Sequence, residues 1–293
     1  MLVWRLLLGT VLIAAVLALC WADAHAATPG VWLFPLALVI TVLASGELLG
    51  LSQARGIRPV AWVVYLGNLA IVSANWLPNL LPQSSALGGA FDAAALALAL
   101  ACIAVFAVEM RRFDEPGHSF EPLAASLLAL VYIGWLMTFL IQLRLLGGGP
   151  RGMAALATMI VVVKMGDTGA YTVGRLIGRH KLTPKLSSGK TIEGLAGGLM
   201  FSCFAAWAAF RWLAPRIAPP AQGAGFEYGW LAYGLVVGLA GVIGDLAESL
   251  LKRDAGRKDS SVWMPGFGGV LDVVDSLLIA APVAYAFWAI GLV

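Results

Sequence analysis

Runs of about 20 mostly apolar residues recur from one end of this 293-residue chain to the other. A helix of that length crosses the roughly 30 Å hydrocarbon core of a bilayer. Only helices and closed barrels satisfy their own backbone in lipid. A barrel needs alternating strands of about 10 residues, and the sequence has none. Nine runs are discernible, at 3–22, 31–50, 60–80, 91–110, 123–143, 153–174, 194–214, 229–250 and 270–291. The fold class is therefore all-α, a polytopic membrane protein of about nine transmembrane helices. An apolar content of 60 % and a mean hydropathy of +0.88, against roughly 45–50 % apolar residues in globular chains, exclude two soluble domains.

Pro and Gly mark the joints, at Arg58-Pro59, Leu81-Pro82, Glu121-Pro122 and Gly147-Gly148-Gly149-Pro150. Basic residues set the orientation. With the N-terminus cytoplasmic, fourteen of the 19 Lys and Arg fall on the inner side and four on the outer side, and Lys164 lies within a span. The first run ends in Ala22-Asp23-Ala24-His25-Ala26, which has the spacing of a signal-peptidase site. A retained helix is the preferred reading. The net charge of +3 does not point to nucleic acid. The cysteines Cys20, Cys102 and Cys203 sit far apart in apolar runs and read as core thiols.

The exception to this apolar pattern is Gly244–Asp275. It holds Asp245, Glu248, Lys252, Arg253, Asp254, Arg257, Lys258, Asp259, Asp272 and Asp275 between two spans, in a chain only 12 % charged. Ionisable groups at membrane depth are costly and usually mark a site. Asp245, Glu248, Ser249 and Lys252 fall on one helix face at i, i+3, i+4 and i+7. Asp272 and Asp275 share a face, as do Lys164, Asp167 and Tyr171. Lys164 with Asp167 reads equally well as a simple ion pair, and Glu47 and Glu109, near span ends, read as interfacial.

Carboxylates gathered at one place repel unless a cation joins them. Oxygen ligands without His or Cys suit Mg²⁺ rather than Zn²⁺; His118 and His180 lack metal-ligand spacing and read as loop residues. Lys181, Lys185, Lys190, Lys252, Arg253, Arg257 and Lys258 supply the cations that a polyphosphate needs. Ser187-Ser188-Gly189-Lys190-Thr191 has the composition of a phosphate-cradling loop, with Glu193-Gly194 opening the next helix. It is not a P-loop. The rival reading, a polybasic face on anionic lipid, accounts for Arg55, Arg58, Arg111 and Arg112 but not for two loops that interleave Lys and Arg with Gly, Ser, Thr and carboxylates. The residues thus indicate a membrane enzyme that handles a nucleotide or pyrophosphate with Mg²⁺ at the cytoplasmic face.

The C-terminal window resembles the signature of the phosphatidate cytidylyltransferases, or CDP-diacylglycerol synthases. The matching positions are Ser249-Leu250-Leu251-Lys252-Arg253, Lys258-Asp259, and Pro265-Gly266-Phe267-Gly268-Gly269-Val270-Leu271-Asp272-Val273-Val274-Asp275. Gly166-Asp167-Thr168-Gly169-Ala170-Tyr171, Gly174-Arg175 and Lys190-Thr191 with Glu193-Gly194 also look like family blocks. The resemblance is firm over about 160–293 and only general over 1–150. Phe267 stands where the family has His, Val273 where it has Arg, and Met264 where it has Leu, Ile or Phe.

The resemblance implies transfer of CMP from CTP to phosphatidate, giving CDP-diacylglycerol and pyrophosphate. It implies a Mg²⁺ held by Asp245 and Asp272, with a second cation reached through Asp275 and Asp167. Asp245, Lys252, Asp272 and Asp275 would be catalytic. Asp167, Tyr171, Arg175, Ser187, Lys190, Thr191, Glu193, Ser249, Arg253, Lys258 and Asp259 would bind substrate. Residues 1–150 would form a lipid-facing scaffold carrying homodimer contacts, and 151–293 the catalytic region, in a bacterial inner membrane. The alternatives are a CTP-dependent lipid-alcohol kinase, a degenerate non-catalytic paralogue, and a transporter, which would show inverted repeats.

Overall fold

The computed structural model describes residues 2–77, 89–218, 227–264 and 268–293, with side chains from Gly9 onward except at residue 90. Helices α1 (Leu2–Ala24), α2 (Leu33–Ala54), α3 (Ala61–Ala74), α4 (Ala90–Arg112), α5 (Phe120–Leu145) and α6 (Gly149–Ile177) come first. A hairpin of β1 (Lys181–Thr183) and β2 (Ser187–Thr191) follows, then α7 (Ile192–Ile217), α8 (Gly229–Asp254) and α9 (Leu271–Ala289). Among the described residues, seven of these helices are long and apolar enough to cross a membrane; Gly9–Ala24 and Ala61–Ala74 are apolar but shorter. The chain is an all-α polytopic membrane protein apart from the small hairpin, which the apolar pattern does not foretell.

The chain divides into two compact units. Unit 1 comprises Met1–Asp23, Gly30–Gln142 and Leu251–Val273; unit 2 comprises Ala24–Pro29, Leu143–Leu250 and Val274–Val293. Residues 251–273 cluster with the N-terminal helices.

In unit 1, Val60, Val63, Ile71, Ala94, Ala101, Val105 and Leu130 form a core shared by α3, α4 and α5. Several polar side chains in this apolar setting are paired with one another, which offsets the cost of burial without water. Asn75 Nδ2 donates to Thr138 Oγ1 at 3.2 Å, and Gln142 Nε2 donates to Asn75 Oδ1 at 2.8 Å. Helix α5 contains a π-helical turn at Leu130–Trp135, a defect that disturbs the regular backbone ladder. Asn68 Nδ2 reaches the carbonyl of Ala129 beside it (3.3 Å) and Ser45 Oγ (2.8 Å).

Unit 2 is organised on α6 and α7, which approach closely through small residues, the usual device where lipid provides no hydrophobic drive between helices. A Cβ on Gly166 would fall 2.4 Å from Ser202 Oγ, and one on Gly197 2.5 Å from Val173 Cβ. Ser202 Oγ donates across the contact to the Val162 carbonyl at 3.2 Å. The hairpin pairs Lys181 with Thr191 and Thr183 with Ser187. Thr191 then caps α7 by accepting the Gly194 amide at 3.0 Å.

Helix α8 runs past its apolar stretch to Asp254 and ends in a Schellman arrangement. The amide of Arg257 donates to the Lys252 carbonyl at 2.8 Å, and that of Gly256 to the Arg253 carbonyl at 3.0 Å. Gly256 has φ +66°, the left-handed conformation this ending demands. Lys252 and Arg253 are therefore helical, on the last turn.

Candidate active site

In unit 2 a cavity of about 490 Å³ opens among α6, the hairpin, α7 and α8. Its lining includes Asp167, Tyr171, Arg175, Ser187, Lys190, Thr191 and Asp245, all named from the sequence and here drawn from three stretches of chain. Lys190 Nζ lies 2.8 Å from Asp245 Oδ2, an ion pair off the hydrogen-bond direction. Lys164 Nζ lies 3.3 Å from Asp167 Oδ2 and donates to Ser276 Oγ at 3.1 Å. Arg175 donates to the Tyr171 hydroxyl at 2.6 Å while its guanidinium lies 5.9 Å from the centroid of that ring.

Asp245, Glu248 and Asp275 converge. Each offers a carboxylate oxygen within 4.8 Å of the others. Gly244 makes this approach possible, because a Cβ there would fall 2.5 Å from the Asp275 carbonyl oxygen. Glu248 is 1 % exposed and Asp275 5 %. At such separations each pair of charged carboxylates repels by roughly 3 kcal/mol at an effective dielectric of about 20, before solvent screening. The donors are hard oxygens with no sulfur or imidazole, the set that Mg²⁺ favours.

Glu193 was expected to bind substrate. Its carboxylate accepts the amides of Arg179 (3.1 Å) and His180 (3.2 Å) and lies 2.6 Å from His180 Nδ1, so it closes the base of the hairpin. His180, expected to be a loop residue, is the partner in that clamp. Ser249 is buried on α8.

The remaining signature residues belong to unit 1. Lys252 is 9 % exposed, and its Nζ donates to Asp272 Oδ1 at 2.6 Å. Asp272 Oδ2 accepts from the Ser260 amide (2.9 Å) and the Gly269 amide (2.8 Å), and the Ser260 hydroxyl, 2.5 Å away, shares its one proton between Asp272 and Glu47. Both oxygens of Asp272, the second expected metal ligand, are thus engaged by protein donors. The carboxylates grouped with Asp245 are Glu248 and Asp275. Arg253 is exposed and donates to the Arg257 carbonyl at 3.4 Å. Lys258 and Asp259 line a second cavity, of about 720 Å³, with Arg257, Trp263, Tyr65 and the face of α2 that carries Glu47. Phe267 lies outside the described residues; Val273 sits in the first turn of α9.

Two acidic residues carry more than their sequence context suggests. Glu248 had its signal, three residues from Asp245 on the same face. Glu47, read as interfacial, is 8 % exposed and accepts four hydrogen bonds from residues 213 to 224 positions later; no local pattern announces that.

The model of the Cytidylyltransferase family matches residues 3–290. The chain belongs to the cytidylyltransferase family. Among curated proteins, this chain is 29 % identical over 288 residues to a phosphatidate cytidylyltransferase of Synechocystis sp., covering 88 % of this chain and 89 % of that one. It is 29 % identical over 259 residues to a protein of the same name from Staphylococcus saprophyticus, covering 86 % and 88 %. A third of that name, from Bacillus subtilis, is 36 % identical over 172 residues, 59 % of this chain and 60 % of its own.

Proposed function

We propose that this protein transfers CMP from CTP to phosphatidate, giving CDP-diacylglycerol and pyrophosphate. The observation that carries the reading is the unit 2 cavity, where Lys190, Ser187, Thr191 and Arg175 meet the acidic side chains of Asp167 and Asp245. Cations and small hydroxyls suit a polyphosphate. A membrane-embedded chain suits a diacyl lipid, and the relatives' name points the same way.

In this reaction an oxygen of the phosphatidate monoester forms a bond to the α-phosphorus of CTP, and the bond from that phosphorus to the bridging oxygen breaks as pyrophosphate leaves. The attacking oxygen is already anionic, so no strong base is required. The obstacle is anion meeting anion, and catalysis rests on positioning and charge neutralisation. Lys190 takes the nucleotide's phosphates, Ser187 and Thr191 bind with it, and Tyr171 and Arg175 complete the lining. Arg253 and Lys258 are assigned to phosphate by the signature. Lys252 and Asp272 hold the signature segment between α8 and α9.

Asp245, Glu248 and Asp275 fit Mg²⁺ by their donor chemistry and convergence, with Asp167 a candidate for a second cation. Bound there, Mg²⁺ supplies neutralisation of phosphate charge. The basic-residue bias supports a cytoplasmic N-terminus, nine spans with the two shorter apolar helices included, and an active site at the cytoplasmic face of a bacterial inner membrane. A homodimer is the assembly we assign.

The test is incubation of purified protein with labelled CTP, phosphatidic acid and Mg²⁺ in detergent. A cytidine-labelled lipid with equimolar pyrophosphate is expected. A phosphorylated lipid alcohol with free CDP would make the protein a kinase instead, and CTP binding without any lipid product a non-catalytic paralogue.

A further inference from the structure

Glu47 sits in the last third of α2, a helix otherwise almost wholly apolar and uncharged. A carboxylate placed there is costly unless donors surround it. They do: Ser260 Oγ donates to Oε2 at 2.9 Å, Trp263 Nε1 to Oε1 at 2.8 Å, the Val270 amide to Oε1 at 2.9 Å and the Leu271 amide to Oε2 at 2.8 Å. All four belong to the signature segment that joins α8 to α9. Ser260 also contacts Asp272, so Glu47 and Asp272 grip the segment from two sides. Contact is tight enough that a Cβ on Gly269 would fall 2.2 Å from Glu47 Oε2.

We infer that Glu47 is a positioning residue for the transfer reaction. It acts through the signature segment, fixing Lys258 and the Lys252–Asp272 pair from a helix more than 200 residues away in sequence. Two amides, one indole N–H and one hydroxyl converge on its two oxygens, a set that only a doubly accepting carboxylate satisfies. A glutamine of the same shape turns one acceptor into a donor facing donors and leaves buried polar groups unmatched. The neighbouring cavity explains why a firm hold matters: its walls are α2 and the residues from Arg257 to Trp263, so release of the segment removes one wall and displaces Lys258.

The kinetic part rests on the transfer reaction proposed above; a second readout does not. Full-length protein in detergent would carry Glu47→Gln. With CTP and phosphatidic acid, kcat should fall on the order of 10²-fold, the scale of a small misplacement in an active site. Binding of CTP, measured calorimetrically, should stay within about twofold, because neither Glu47 nor the segment it holds lines the cavity around Lys190. Trypsin should cut after Arg257 or Lys258 in the folded variant and spare the wild type. Wild-type turnover with wild-type trypsin resistance would overturn the inference. So would loss of activity together with loss of CTP binding and of a cooperative thermal transition, since Glu47 would then be needed only for folding. Should the wild type make no lipid product, the proposed reaction fails, and the tryptic pattern alone decides whether Glu47 holds the segment.

Discussion

Lys190 Nζ stands 2.8 Å from Asp245 Oδ2, joining the hairpin that carries a cation to the helix that carries Asp245 and Glu248. A polyphosphate would compete with Asp245 for Lys190 and leave the Asp245 carboxylate to a cation.

Lys190→Met should therefore weaken nucleotide binding. A charge-assisted hydrogen bond contributes about 1.5–3 kcal/mol, so CTP affinity should fall roughly 10–100-fold by isothermal titration. Unchanged affinity would remove Lys190 from the phosphate site.

Removal of divalent metal should abolish turnover, and added Mg²⁺ should restore it. Asp275→Asn takes away one member of the Asp245–Glu248–Asp275 set. It should raise the Mg²⁺ concentration for half-maximal activity about tenfold or more, the scale of losing a ligand-shell group. A Mg²⁺ titration identical to wild type would contradict the assignment.

The Lys252–Asp272 pair is nearly dry, with side chains 11 % and 12 % exposed. Breaking a buried pair from one side leaves a buried charge and costs about 3–5 kcal/mol. Lys252→Met should lower the thermal midpoint, and adding Asp272→Leu should lower it further, because the Ser260 and Gly269 amides then lose their acceptor. A double variant that melts above Lys252→Met would show that the unpaired charge alone is what destabilises.

The Schellman ending of α8 makes a smaller, separate prediction. Ala at position 256 must adopt φ near +66°, at about 1–2 kcal/mol. Gly256→Ala should lower the midpoint by a few degrees without altering CTP affinity, which thermal melts and calorimetry would check.

Much of this was legible beforehand. The apolar runs located the long helices, because hydropathy over about 20 residues is a strong signal in lipid. Helical spacing and the family blocks singled out Asp167, Tyr171, Arg175, Lys190 and Asp245, which now line one cavity. What was hidden depends on contacts distant in sequence. The engagement of Asp272 by Lys252, Ser260 and Gly269, the approach of Asp275 to Asp245 and Glu248, and the grip of Glu47 on residues 260–271 are tertiary facts. Spacing shows which side chains share a helix face; it does not show which donors reach them. The hairpin was hidden for another reason: strands of three and five residues are too short to produce a readable alternation.

The central claim is that the acidic set around Asp245 supports transfer of CMP to a lipid phosphate. Its most direct test is the lipid-soluble product formed from labelled CTP and phosphatidic acid by the wild type and by Asp245→Asn. The account predicts labelled CDP-diacylglycerol with stoichiometric pyrophosphate from the wild type, and a loss of at least about 10²-fold in the variant while it remains folded. An Asp245→Asn protein that forms the product at the wild-type rate would contradict it.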